Sequence, residues 1–208
     1  MADRDFPRLP RAFYSRETRL VARALLGQIV VHDAPGGLTA GRIVETEAYL
    51  GPDDLASHAA SMRKERLAVL WAEPGTAYIY RSYGIHAMLN VVAAAPGAIG
   101  AVLIRALEPV AGATLMQERR GMADPGALCS GPGKLCQAMD IRLDQQGTDL
   151  TISDTLWFAA GDTVAEISVS GRIGITKAVE APWRYWETGS PFVSAHRRGQ
   201  PYRDEVVP

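Results

Sequence analysis

Arg42-Ile43-Val44-Glu45-Thr46-Glu47-Ala48-Tyr49 reads as a β-strand, because Ile43, Val44 and Thr46 are β-branched and the acids alternate. Side chains on a strand point to opposite faces in turn. Glu45, Glu47 and Tyr49 therefore share one face, and Val44, Thr46 and Ala48 the other. Two carboxylates and a phenol on one face need partners if that face is buried. The same pattern also fits the solvated side of an edge strand, and this segment alone leaves both readings open.

The neighbouring segments place this strand in a sheet. Ala34-Pro35-Gly36-Gly37 is a turn, so Gln28 to His32 and Leu38 to Leu50 form the two arms of a hairpin. A second hairpin runs from Thr76 to Tyr80, through a tight turn at Arg81 to Gly84, and back along Ile85 to Val92. Ala101 to Leu107 is a further strand. Short strands are expected near 149–153, 155–159, 164–169 and 172–176. Ser15 is placed to cap a helix to about Leu26, with Gly27 as its stop. Residues 51 to 74 read as loop and short helix. Another helix follows Pro109 to about Arg120, Gly121 to Ser130 is loop, and a short helix covers Lys134 to Met139. Hairpins dominate and repeated βαβ units are absent. The expected fold is α+β: a single compact domain, largely an antiparallel β-sheet with flanking helices and a protruding β-hairpin. It spans 1–208, with 1–10 and 196–208 as peripheral tails and no Pro/Ser linker between domains.

Composition narrows the function classes. The chain has 208 residues, 47% hydrophobic, enough for one sizeable core, and a formal net charge of -1. No global field drives it to a polyanion, so such a partner needs a local basic patch. Lys occurs only at 64, 134 and 177; the other basic residues are Arg, which suits bidentate phosphate contacts. The two cysteines, Cys129 and Cys136, match no zinc spacing and fit free thiols in a reducing cytoplasm. No segment reads as a signal peptide or a membrane span.

Several residues stand out chemically. Tyr78 and Tyr80 share a face of the second hairpin, and Tyr83 sits at or near its tip, where it either folds back on the sheet or enters a base stack. Asn90, in an apolar strand, needs hydrogen-bond partners or reads a base edge. Arg105, in the apolar strand 101–107, demands an anion, and a carboxylate such as Glu47 would serve, structurally or functionally. His58 lies in a loop with no metal-ligand spacing, as a surface residue or a stacking one. Ser130-Gly131-Pro132-Gly133-Lys134 only superficially resembles a nucleotide-binding loop. Leu128 and Leu135 stand where the triphosphate motif needs Gly and Ser/Thr. What survives is a glycine-rich helix start with one Lys, a fair anchor for backbone phosphate through Gly131, Gly133 and Lys134.

The chain resembles the alkyladenine (3-methyladenine) DNA glycosylases shared by bacteria and mammals, from about Phe13 to Ser194. The strongest pieces are Gly41 to Pro52, Pro74-Gly75-Thr76 with Tyr78 and Tyr80, Tyr83-Gly84, Arg105 to Pro109, and Ser130 to Ala138. Arg172-Ile173-Gly174 and Gly189 to Ser194 support it. The resemblance implies a monofunctional base-excision-repair enzyme that flips damaged purines from double-stranded DNA and hydrolyses the N-glycosidic bond. Implied substrates are 3-methyladenine and 7-methylguanine, with hypoxanthine and ethenoadenine left open. It implies Glu47 as the base that activates water, with Arg105 and the backbone carbonyl of Ile173 holding that water. It implies Tyr49, His58 and Tyr80 as the pocket for the flipped base, Asn90 as the residue that disfavours guanine, and Tyr83 as the residue that fills the vacated stack. No cofactor, metal or membrane is implied. A monomer in the cytoplasm, nucleoid-associated in a bacterium, is expected. In one departure from the family pattern, an Arg-Asn pair after the His-bearing loop becomes Arg66-Leu67. Lesion binding without cleavage, or action on nucleotides or RNA, are the competing readings.

Overall fold

The computed structural model describes residues 6–61, 68–194 and 205–207. Helices α1 (Arg11–Tyr14) and α2 (Thr18–Ala24) precede strands β1 (Ile29–Ala34) and β2 (Gly37–Tyr49). Then come α3 (His58–Ser61), β3 (Ala77–Ser82), β4 (His86–Val92), β5 (Ala101–Ala111), α4 (Ala113–Arg120), α5 (Pro125–Leu128) and α6 (Pro132–Met139). Strands β6 (Leu156–Ala159), β7 (Ile167–Ser170), β8 (Arg184–Glu187) and β9 (Glu205–Val207) complete the described chain. The strands join in one sheet of order β3-β4-β5-β2-β8-β7-β9, with β1 paired to β2 and β6 to β1. Every pairing is antiparallel, as the two hairpins led us to expect. The fold is α+β, with helices packed against the sheet.

Strand β2 is the axis of the molecule. Its first half lies between β1 and β5, and its second half between β8 and β5. From Glu45 to Ala48 the alternation in its sequence holds in space. Thr46 donates to the Ala22 carbonyl of α2 at 2.8 Å and Ala48 joins the main core, while Glu45 and Glu47 point the other way onto one guanidinium, that of Arg105. The main core unites α2, the inner face of β2, β4, β5 and α6 through residues such as Leu25, Ile43, Leu89, Ile104 and Leu135. Burying each such side chain stabilises the fold by about 1.5–3 kcal/mol.

Where expectation and structure part, local polar chemistry explains it. Ser15 is not the cap of α2; its hydroxyl bonds back to Arg11, and the Glu17 carboxylate accepts from the Leu20 N–H instead. Residues 149–153 form no strand, because the Asp149 side chain folds the backbone by accepting from the N–H and hydroxyl of Thr151. Residues 172–176 form no strand either, since Arg172 turns inward to Asp54 and Gly174 takes φ +79°. Strand β5 runs on past Leu107 to Ala111, short helix α5 occupies a stretch read as loop, and α1 falls where no element was expected. Strand β8 lies in a stretch for which no element was expected. Of the segments expected as peripheral tails, residues 1–5, 196–204 and 208 lie outside the described residues. Of their described residues, Leu9 is buried and Glu205–Val207 pairs with β7.

Candidate active site

Two β-bulges between β2 and β5 build the site. The pairing steps from Ile43↔Leu107 to Glu45↔Ala106 and then to Thr46↔Ile104. Val44 is the extra residue on one strand and Arg105 the extra residue on the other. A bulge re-aims the side chain at its position. Here Arg105 reaches both carboxylates: its Nε lies 3.2 Å from Glu45 Oε1 and its Nη1 3.2 Å from Glu47 Oε2.

The two acids, both fully buried, are held differently. Glu45 accepts from Arg105 Nε, from Arg184 Nε at 2.6 Å, and from the Ser194 hydroxyl and N–H at 2.9 and 2.7 Å. Glu47 accepts from the Ile173 N–H at 2.7 Å, the Tyr49 hydroxyl at 2.8 Å and Arg105 Nη1. An ionised carboxylate offers about four acceptor positions. Among the described residues Glu45 accepts from four donors, three of them on Oε1, and Glu47 from three, two of them on Oε2. Two arginines balance two carboxylates, which makes burial of the cluster tolerable.

Electrostatics follow from burial and pairing. Burial opposes the Glu45 charge, but Arg105 and Arg184 outweigh it and hold its carboxyl below the usual range. Burial likewise opposes the Arg105 charge, and the pull of Glu47 and Glu45 more than restores it. Burial, then the Glu47 charge, keeps the Tyr49 hydroxyl protonated far above neutrality, and the same causes push Tyr80 up to about 12. Burial lowers His58, so its ring is neutral at pH 7.

Arg105, Tyr49 and Ile173, the groups that hold Glu47, also line a cavity of about 950 Å³. His58, Tyr78, Tyr80 and Asn90 wall it as well. The His58 and Tyr80 rings meet edge to face at 4.6 Å, and His58 Nδ1 lies 2.5 Å from the Tyr78 hydroxyl. Both amide hydrogens of Asn90 go to backbone carbonyls, of Tyr78 and Met88, at 3.1 Å each. Its Oδ1 is then the remaining polar atom. Gly131, Gly133 and Lys134 line the same cavity at the start of α6. Lys134 Nζ lies 3.3 Å from the Ser130 hydroxyl. A Cβ on Gly133 would stand 3.1 Å from the His86 side chain, so glycine lets the hairpin approach the helix. Tyr83 sits at the hairpin tip, 79% exposed, with φ 50°. A left-handed backbone at a bulky residue costs about 1–3 kcal/mol and is concentrated at functional positions.

The fold thus brings Tyr49, His58, Tyr80, Asn90, Arg105, Ile173 and the Gly131–Lys134 segment to one cavity, with Tyr83 also lining it from the hairpin tip, and Glu47 is buried behind it, bonded to Tyr49, Arg105 and Ile173. It is the Ile173 N–H, not its carbonyl, that bonds to Glu47. Arg66 and Leu67 lie outside the described residues. Sequence reasoning did not reach Arg184, Asp54, Arg172 or the bond from Tyr78 to His58. An arginine amid the aromatic run Trp183 to Trp186 is the one signal that could have exposed Arg184.

A family model for methylpurine-DNA glycosylase matches residues 12–191. Relatives in Chlorobaculum parvum and Chlorobaculum tepidum are 46% and 47% identical over 197 residues, 93% of this chain and 94% of theirs. One in Methanoculleus marisnigri is 47% identical over 191 residues, 89% of this chain and 98% of its own. Each is provisionally named a 3-methyladenine DNA glycosylase. The chain belongs to the methylpurine-DNA glycosylase family. It is accordingly a DNA glycosylase, a hydrolase acting on N-glycosyl bonds. Among the described residues no helix is long and apolar enough to cross a membrane.

Proposed function

We propose that this enzyme is a monofunctional glycosylase that excises alkylated purines, 3-methyladenine and 7-methylguanine first among them, from duplex DNA. The observation that carries the reading is Glu47: a buried carboxylate held by three groups that all line an aromatic cavity. A base inside the duplex cannot be attacked at its sugar carbon, so it rotates out at a cost of about a few kcal/mol. Damaged bases stack and pair poorly and cost less. Tyr83 fills the space the base leaves.

Alkylation at N3 or N7 makes a purine cationic. The Tyr49, Tyr80 and neutral His58 rings attract such a base by about 0.5–2 kcal/mol. Asn90, its amide hydrogens bonded to backbone carbonyls, disfavours guanine through the 2-amino group, and the positive charge of 7-methylguanine offsets that penalty. The cationic base is a good leaving group. Glu47 takes the proton of a water that attacks C1′ as the glycosidic bond breaks, and a free base and an abasic site result. Arg105 orients Glu47 and helps to hold the water with the Ile173 carbonyl. Gly131, Gly133 and Lys134 take backbone phosphate. The enzyme works as a monomer on DNA in the cytoplasm, associated with the nucleoid in a bacterium.

The test is a duplex carrying one 3-methyladenine or hypoxanthine, incubated with the enzyme and then treated with alkali. Strand breaks at the lesion are expected. Binding without breaks would leave a lesion-binding protein. Lys134 and Lys177 also line the cavity. Borohydride trapping is therefore the check on the absence of a lyase step, and a trapped covalent adduct would contradict it.

A further inference from the structure

We propose that Arg172 is a positioning residue for Glu47, a guanidinium that clasps together the two segments whose donors hold that carboxylate. The proposal rests on the reading of Glu47 as the base. Arg172 is buried, in the loop between β7 and β8, and its backbone leads directly into Ile173. Its Nη1 donates to the Ala48 carbonyl at 3.0 Å and to Asp54 Oδ2 at 2.6 Å, and its Nη2 donates to Asp54 Oδ1 at 2.8 Å. Asp54 in turn accepts from the N–H groups of Leu50 and Ala56, which fixes the loop that leads to His58. The Cζ of Arg172 also lies 4.6 Å from the Tyr49 ring centroid and 4.8 Å from that of Trp183.

One planar group thus braces the end of β2, the loop after it and the loop before β8. Two of the three donors on Glu47, the Tyr49 hydroxyl and the Ile173 N–H, belong to residues that this group touches or adjoins. Only a guanidinium combines a bidentate fork with flat faces for ring stacking; an ammonium offers neither. A buried ion pair is often replaceable by apolar packing without loss of stability, so stability alone does not account for its presence. Position does. A misplacement of about 1 Å at a catalytic group can cost about 100-fold in rate.

The experiment uses full-length Arg172→Lys and Asp54→Asn. Binding-competent protein is first quantified by titration with a duplex carrying a stable abasic-site analogue, which places no base in the pocket. Single-turnover excision from a hypoxanthine or 7-methylguanine duplex is then measured at saturating enzyme. We expect the maximal rate per competent molecule to fall about 10- to 100-fold in both variants, with affinity for the abasic-site duplex unchanged. The double variant should lose no more than either single one, because both break the same clasp. A maximal rate at the wild-type level in either variant overturns the proposal. So does a loss of rate that merely tracks a loss of competent protein, which is what a purely structural ion pair predicts. Should Arg172→Lys fail to fold, Asp54→Asn, which keeps the shape of the side chain, decides alone. Failure of the wild-type enzyme to release any base from these duplexes would instead remove the glycosylase reading beneath the proposal, whatever the variants do.

Discussion

Glu45→Gln separates the acid that organises the site from the acid that acts in it. Glu45 Oε1 faces Arg105 Nε, Arg184 Nε and the Ser194 hydroxyl, and Oε2 faces the Ser194 N–H. Each oxygen meets a donor, so an amide of the same shape must turn its own N–H groups toward a donor whichever way it flips. The least harmful orientation faces Ser194 N–H and still leaves Arg184, fully buried, without its counter-ion. Removing one partner of a buried pair costs about 3–5 kcal/mol. In a chain of this size about 2–4 °C of Tm goes with each kcal/mol, so the variant should melt roughly 6–20 °C lower. The loss should depend on pH. The folded-state titration of Glu45 lies below that of an ordinary carboxylate at 4.5. Its stabilisation is therefore present above that value and fades as pH falls through the depressed one. The gap in Tm between wild type and variant should narrow accordingly in acid. Differential scanning calorimetry between pH 7 and pH 3 reads both effects. A Tm within about 2 °C of wild type at pH 7 would refute the argument that this carboxylate anchors two buried arginines.

Three further outcomes follow from the same geometry. Tyr83→Ser should weaken binding to a lesion duplex about 5- to 150-fold in a fluorescence titration, since base stacking on an aromatic is worth about 1–3 kcal/mol; unchanged affinity would return Tyr83 to a turn residue. Lys134→Ala should weaken binding to damaged and undamaged duplex alike and reduce the slope of log K against log salt by about 1. Burial lowers the His58 titration below its ordinary 6.5. Capture of cationic 7-methylguanine should hold from neutral pH to the acid side of 6.5 and then fall as the ring charges. His58→Gln should remove that acid-side loss relative to the wild type.

The strands that frame the site were legible because their signals are local. The Ala34–Gly37 turn and the β-branched alternation of β2 announce a hairpin, and both the pairing of its arms and the facing of Glu45 and Glu47 hold in space. Alternation could not choose between the two acids, because they share a face. Their difference lies in donors from β8, the Ile173 loop and Ser194, more than 120 residues away in sequence. The bulge at Arg105 leaves no mark on the apolar run Ala101 to Leu107, yet it is what lets one guanidinium reach both carboxylates. Arg172 and Asp54 read as ordinary surface charges until tertiary packing seals them behind Tyr49 and Trp183. The pocket residues became legible through resemblance, not periodicity: a His in a loop and an Asn in a strand carry no chemistry until the fold faces them inward.

Glu47→Gln is the most direct test of the central claim. The substitution keeps the shape of the side chain and leaves the Tyr49, His58 and Tyr80 walls in place, but removes the base for the attacking water. In single-turnover assays on a 7-methylguanine or hypoxanthine duplex, the rate should fall about 100- to 10,000-fold, while lesion binding by gel shift persists. Excision at the wild-type rate would contradict the account and move the base elsewhere, with Glu45 the next acid to examine.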